Sequence, residues 1–99
     1  MIKLIAQIHV LSGKTEEALQ DLNNLVQYTK MEEGCLRYDL FQSTMDECIF
    51  FIFEEWHDDK SLGKHFESQH IKEFNNVKRL WISGKVEINQ VKKLYCNND

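Results

Sequence analysis

The stretch Ile49–Trp56 (IFFIFEEW) constrains the fold more than any other part of this chain. Side chains alternate along a strand, so Ile49, Phe51 and Phe53 would point one way and Phe50, Ile52 and Trp56 the other. A strand that is apolar on both faces has to be covered twice. A chain of 99 residues makes one domain and buries only ~60–65% of its unfolded surface. It carries helices for one cover and has little material left for the second.

The flanking segments supply the partners. Ile2–Val10 alternates, with Ile2, Leu4, Ala6, Ile8 and Val10 on one face, and reads as a strand. Leu11-Ser12-Gly13 is a turn, after which Ser12 or Thr15 can cap a helix with an acidic first turn, Glu16-Glu17. Ala18, Leu19, Leu22, Leu25, Val26 and Thr29 form its apolar stripe, and Glu32-Glu33-Gly34 ends it, with Gly34 left-handed. Leu36–Ser43 is a second strand with Leu36, Tyr38 and Leu40 on one face; the turn Thr44–Cys48 folds it into an antiparallel hairpin with Ile49–Trp56. Asp58 or Asp59 can cap a short helix with Leu62, His65 and Phe66 inward. Ser68 can start another with Ile71, Phe74 and Val77 inward. Ser83-Gly84 is a break, and a last strand begins at Val86 and Ile88 and runs toward Leu94; Cys96–Asp99 is a polar tail expected to fray.

The order strand, helix, strand, strand, helix, strand predicts an α+β, ferredoxin-like βαββαβ domain over residues 1–99. Each Phe or Trp brings roughly 150–250 Å² of surface, and monomers rarely leave more than roughly 300–600 Å² of apolar patch open. Two or three aromatics on the uncovered sheet face exceed that limit, so two copies are expected to pack sheet to sheet as a homodimer.

Composition narrows the function classes. The formal net charge is −4, and the only adjacent basic pairs are Lys78-Arg79 and Lys92-Lys93, so there is no cationic stripe for nucleic acid. Three cysteines, Cys35, Cys48 and Cys96, without a CxxC spacing, point to reduced thiols and a cytoplasmic setting. The apolar start MIKLIAQIHV is too short and interrupted for a signal peptide or membrane span. Rossmann, P-loop and serine-elbow signatures are absent, which sets aside nicotinamide, ATP and hydrolase readings.

Several pieces combine into a family pattern. Glu32-Glu33-Gly34-Cys35 followed by Tyr38, then Glu54-Glu55-Trp56, then Leu62, His65, Ser68, His70 and Phe74 resemble the antibiotic biosynthesis monooxygenase (ABM) domain, with the quinol monooxygenase branch as the nearest match. The resemblance spans nearly the whole chain. It implies a dimeric α+β barrel with a pocket between sheet and helices in each subunit. It also implies oxygenation of electron-rich phenols, quinols or anthrones by O₂ as co-substrate, with no flavin, heme or metal. Heme-degrading relatives carry an asparagine on the first strand near the position of Ile8 and a liganding histidine; Ile8 cannot donate a hydrogen bond, so heme is not expected.

On that resemblance His65 is the expected base or hydrogen-bond partner of the substrate, and Trp56 the wall against which a substrate ring stacks. Tyr38, Phe66, His70, Phe74, Ile8 and Ile52 are the expected substrate contacts. The bland alternatives are real. An inward histidine is commonly a satisfied core residue, and Trp56 and Tyr38 are ordinary strand aromatics. Five residues turn a helix through about 500°, so His65 and His70 share a face only if the helix breaks at Ser68. The spacing is not HExxH and no third ligand is apparent, so no metal is expected. His70 serves equally well to hold loop geometry. Glu54 faces the hydrophobic layer and is expected to pair with Arg37 or Arg79, or to orient a histidine. Cys35 is expected to be structural, and His9 and His57 to lie at the surface.

Three functions are compatible with these residues. The first is a cofactor-independent monooxygenase acting on a small quinol or phenol. The second is an isomerase or degradative enzyme for a small polar signalling metabolite, as in the autoinducer-processing branch, which requires a more polar pocket. The third is a non-enzymatic dimeric binding module, favoured by a pocket below ~300 Å³.

Overall fold

The computed structural model describes residues 1–95; the tail Cys96–Asp99 lies outside the described residues. The elements are β1 (Ile2–His9), α1 (Thr15–Lys30), β2 (Cys35–Gln42), β3 (Ile49–Trp56), α2 (Asp59–Phe66), α3 (Gln69–Val77) and β4 (Glu87–Val91), with a single 3₁₀ turn at Lys78–Leu80. The antiparallel sheet has the order β2-β3-β1-β4. This is the α+β ferredoxin-like arrangement that the strand and helix order predicted.

β3 sits at the centre because its apolar character on both faces excludes it from an edge. Phe50, Ile52, Glu54 and Trp56 are buried under the helices together with Ile2, Leu4, Ala6 and Ile8 of β1. Ile49, Phe51 and Phe53 remain half-buried on the opposite face, opposite His9, Gln7 and Ile5 of β1. On β2 the pairing slips between Cys35 and Arg37. Leu36 is the extra residue of that irregularity and is exposed rather than sharing the face of Tyr38 and Leu40.

α1 departs from its expected start. Its N-cap is Lys14, which contributes no side-chain bond; neither Ser12 nor Thr15 caps it. The acidic first turn, Glu16 and Glu17, remains to oppose the amide dipoles. Asp58 and Ser68 do cap as expected, Asp58 accepting from the Ser61 amide at 2.8 Å and Ser68 from the Ile71 amide at 3.3 Å. Gly34 is left-handed at φ +89°, and a Cβ there would collide with the Ser61 side chain. Only glycine therefore satisfies both the backbone and the approach of α2.

The last third of the chain was least predictable. β4 is shorter than expected: it begins at Glu87, stops at Val91, and leaves Leu94 exposed. Trp81 is buried, stacks edge-on against Phe74 at 5.8 Å, and donates from Nε1 to Asp21 at 2.8 Å, tying the post-α3 turn to α1. No helix among the described residues is long and apolar enough to cross a membrane.

Candidate active site

Between the helix-covered sheet face and the layer formed by α2, α3 and the 82–86 loop lies a cavity of about 520 Å³. Ala6, Ile8, Ile52 and the Ala6-paired Ile88 form its floor, Phe66, Ile71 and Phe74 line it from the helices, and Val86 from the loop before β4. Four uncharged or acidic polar side chains also line it, Tyr38, Glu54, His65 and Asn75, while Lys78, Arg79 and Lys85 contribute cations. An apolar chamber with a few convergent polar groups suits a small, largely apolar ligand.

His65 is the buried imidazole of this site. It comes from the last turn of α2, with Trp56 tilted against its ring at 4.6 Å and Tyr38 edge-on at 5.7 Å. Its Nδ1–H donates to Glu32 Oε2 at 2.6 Å, and His70 Nε2–H donates to the same oxygen, also at 2.6 Å. A carboxylate only accepts, so both imidazoles are assigned as donors toward it. For His65 this leaves Nε2 as the lone-pair nitrogen available to a molecule in the cavity. Burial lowers the His65 pKa below its ordinary value, the Glu32 hydrogen bond and charge oppose that shift, and nearby His70 adds to it. The ring is thus kept neutral while its conjugate acid has a carboxylate waiting for it.

Glu54 is the second titratable group. It is buried, and Trp56 Nε1 donates to its Oε1 at 2.9 Å. Burial pushes its carboxyl up to about 7, against the lowering effect of the tryptophan N–H and with a small further rise from Glu32. Near neutrality it is therefore partly a carboxylic acid, able to donate a proton as well as accept one. The tyrosine hydroxyl of Tyr38 is raised well above its usual value by burial and by the Glu54 charge, so it stays protonated.

The Glu54 shift has a stability consequence. A folded pKa raised above the unfolded value means that ionisation opposes folding: the penalty begins above about pH 4.5 and is complete above about pH 7. Glu54→Gln should therefore raise unfolding free energy at about pH 8 by about 1–3 kcal/mol. The gain should shrink toward zero at about pH 4.5. Urea unfolding of both proteins at the two pH values measures this, and a gain independent of pH would contradict it.

A sequence model of the family described as antibiotic biosynthesis monooxygenase matches residues 1–77. The chain belongs to that family. Among curated proteins this ABM domain is 39% identical over 74 residues to the Bacillus subtilis (strain 168) protein called "Putative monooxygenase YcnE", covering 75% of this chain and 78% of that one. Among solved structures it resembles PA3566 from Pseudomonas aeruginosa, with a TM-score of 0.88 and 33% identity over 95% of this chain and 94% of the other. It also resembles a crystal structure of an antibiotic biosynthesis monooxygenase, with a TM-score of 0.89 and 26% identity over 96% of this chain and the whole of the other.

The residues expected at the site divide into two groups. His65, Tyr38, Phe66, Phe74, Ile8 and Ile52 all line the ABM cavity. Trp56 does not: it is fully buried, with its indole against the His65 ring and its N–H on Glu54, and it is these two neighbours that line the chamber. His70 does not line the cavity either. It faces a separate groove beside Tyr28, Asp21 and Phe74, with its ring stacked over Tyr28 at 6.0 Å. Phe66 reaches the cavity while remaining half exposed, so it is a rim residue, not the inward one predicted. Glu54 pairs with neither arginine: Arg37 is taken by Asp39 and Glu55, while Arg79 bonds Asn76. Cys35 has its thiol raised to about 11 by burial, which leaves it inert as a nucleophile.

Sequence reasoning missed Glu32. It lies 33 residues from His65, and no spacing rule links a turn carboxylate to a histidine on a later helix. The available signal was its place in the Glu32-Glu33-Gly34-Cys35 motif, which marks a helix stop and a family resemblance but assigns the acid no role at the site.

Proposed function

We propose that this protein is a cofactor-independent monooxygenase that oxidises a small quinol- or phenol-type aromatic with O₂, working as a homodimer in the cytoplasm. The observation that carries the reading is the His65–Glu32 pair: a neutral, carboxylate-backed imidazole at the wall of an apolar chamber of about 520 Å³.

His65 Nε2 takes a proton from the substrate hydroxyl or activated methylene. Against a phenol near pKa 10, an ordinary histidine near 6.5 is short by about 5 kcal/mol. Burial widens that gap; the Glu32 carboxylate offsets it by stabilising the imidazolium. Lys78, Arg79 and Lys85 add positive potential toward the developing anion. The anion passes one electron to O₂; the resulting radical and superoxide combine, forming a C–O bond to a peroxide. Cleavage of the peroxide O–O bond, with a proton from Glu54 or from His65, releases water and leaves the second oxygen atom on the ring. For a hydroquinone the balance is quinol plus O₂ giving hydroxyquinone plus H₂O.

The apolar lining supports an aromatic substrate over a small polar metabolite. The cavity volume exceeds the ~300 Å³ below which a non-enzymatic binding module would be favoured. Free thiols at Cys35 and Cys48 support a reducing compartment.

The test is an oxygen electrode with a panel of chemically reduced quinones and anthrones, with chelator present and no flavin or heme. Protein-dependent uptake, with one O₂ consumed per product and no accumulated hydrogen peroxide, is expected. Absence of uptake across the panel would sink the assignment.

The dimer rests on the uncovered sheet face, where Ile5 and Phe41 are exposed and Ile49, Phe51 and Phe53 half-buried. Placing a charge at its centre, Phe51→Glu, should weaken self-association by roughly tenfold to a hundredfold. Light scattering over a concentration series reads this; a wild-type protein that is monomeric throughout would overturn it.

A further inference from the structure

We propose that Glu32, His65 and His70 form a binding site for a divalent transition-metal ion such as Zn²⁺, and that an ion held there switches off the His65 base. The second half rests on the function proposed above; the first does not.

The base needs one partner on Nδ1, which Glu32 supplies. The second imidazole, His70, is surplus to that chemistry, yet it converges on the same carboxylate oxygen. Two imidazole nitrogens and a carboxylate oxygen lie within 4.8 Å of one another, the sole such three-residue group among the described residues. They come from three segments: the loop after α1, the end of α2, and the start of α3. The helix break capped by Ser68 lets histidines five apart face one acid.

Two imidazoles and one carboxylate suit zinc, cobalt, nickel or copper better than magnesium or calcium. With metal–ligand distances of about 2.0–2.2 Å, tetrahedral ligands stand about 3.3 Å apart. The two 2.6 Å contacts to Glu32 Oε2 would open by well under one ångström. Oε1 makes no side-chain bond and is available after a carboxylate rotation. His70 also lines, with Tyr28, a groove of about 340 Å³, so one of the three ligands is reached from solvent.

The ion would bind on the Glu32 side of His65, so the imidazole stands between it and a molecule in the cavity. Its effect passes through tautomerism. Nδ1 must give up its hydrogen to coordinate, so a neutral His65 then carries its proton on Nε2. That nitrogen becomes a donor and can no longer take a proton from substrate. No net proton is released, because each neutral ring only moves its hydrogen to the other nitrogen.

Isothermal titration with Zn²⁺ should find one saturable site. Glu32→Gln and His70→Ala, checked for folding by circular dichroism, should each weaken it at least tenfold. Co²⁺ should give visible d–d bands without thiolate charge-transfer absorption, which excludes the cysteines as ligands. Absence of saturable binding, unchanged affinity in His70→Ala, or a thiolate band would overturn the site. In the turnover arm, Zn²⁺ should suppress oxygen uptake reversibly by chelator, with at least a tenfold higher half-inhibiting concentration for His70→Ala. Saturable Zn²⁺ binding that leaves uptake unaffected would overturn the switch. Binding as expected in a protein that consumes no oxygen with any substrate would instead reject the oxygenase reading and leave the metal site standing.

Discussion

Replacing His65 by alanine should lower oxygen uptake with an accepted quinol by about 10²–10⁴-fold, the range for loss of a positioned general base. No other side chain among the described residues combines a free lone pair, a carboxylate behind it and a wall of the cavity. His65→Gln, which keeps a polar side chain of similar reach, should be as inactive, separating lost chemistry from lost packing; circular dichroism checks both variants. Glu32→Gln should be milder, a fall of about tenfold, because an amide oxygen still receives the Nδ1–H but supplies no charge for the imidazolium. Its pH profile is diagnostic. Burial holds the His65 pKa below the ordinary histidine value, so the wild-type acid limb should lie below about pH 6.5. Removing the Glu32 carboxylate removes a raising influence and should move that limb lower still. A His65→Ala protein with the wild-type rate would take the imidazole out of the reaction.

Trp56→Ala should cost about 3–5 kcal/mol of folding stability, the range for emptying a buried large aromatic site. For a domain expected to hold only about 5–15 kcal/mol, that is about a fifth of the total or more. Three losses add: the void in the core, the stack on His65 at 4.6 Å, and the N–H that Glu54 accepts at 2.9 Å. Trp56→Phe separates them. It keeps most of the volume and removes only the donor, so its cost should be about 1–3 kcal/mol and should grow above the Glu54 pKa of about 7, where the acid is charged. Urea unfolding at two pH values reads both variants. If Trp56→Ala lost less than about 1 kcal/mol, the tryptophan would be a solvent-adaptable wall of the cavity after all.

How far the site could be read from residues alone depended on whether the contact was local. Asp58 and Ser68 were legible as caps because capping is decided within four residues. Gly34 was legible as left-handed for the same reason, although the Ser61 side chain that also forbids a Cβ there was not. The inward direction of His65 followed from helical spacing. Leu36 was misjudged because a pairing slip, invisible in a two-residue alternation, turned it outward. The depth of Trp56 was not legible because alternation assigns a face only: the same face holds both the cavity floor at Ile52 and the fully enclosed indole.

Patterning along the chain was sufficient for the element order, the central position of β3, the helix-covered and uncovered faces of the sheet, and the membership of His65, Tyr38 and Phe74 in the interior. Those properties follow from periodicity and from the need to bury apolar surface, both of which are written residue by residue. Tertiary structure alone decided that one oxygen of Glu32 joins two histidines, that Glu54 answers to Trp56 rather than to an arginine, and that His70 opens to a different groove from His65. Hydrogen bonds and charge pairing depend on ångström distances: the Glu32 bonds join residues more than thirty positions apart, and even for Glu54 the choice between Trp56 two residues away and a distant arginine is made by side-chain positions that no one-dimensional period carries.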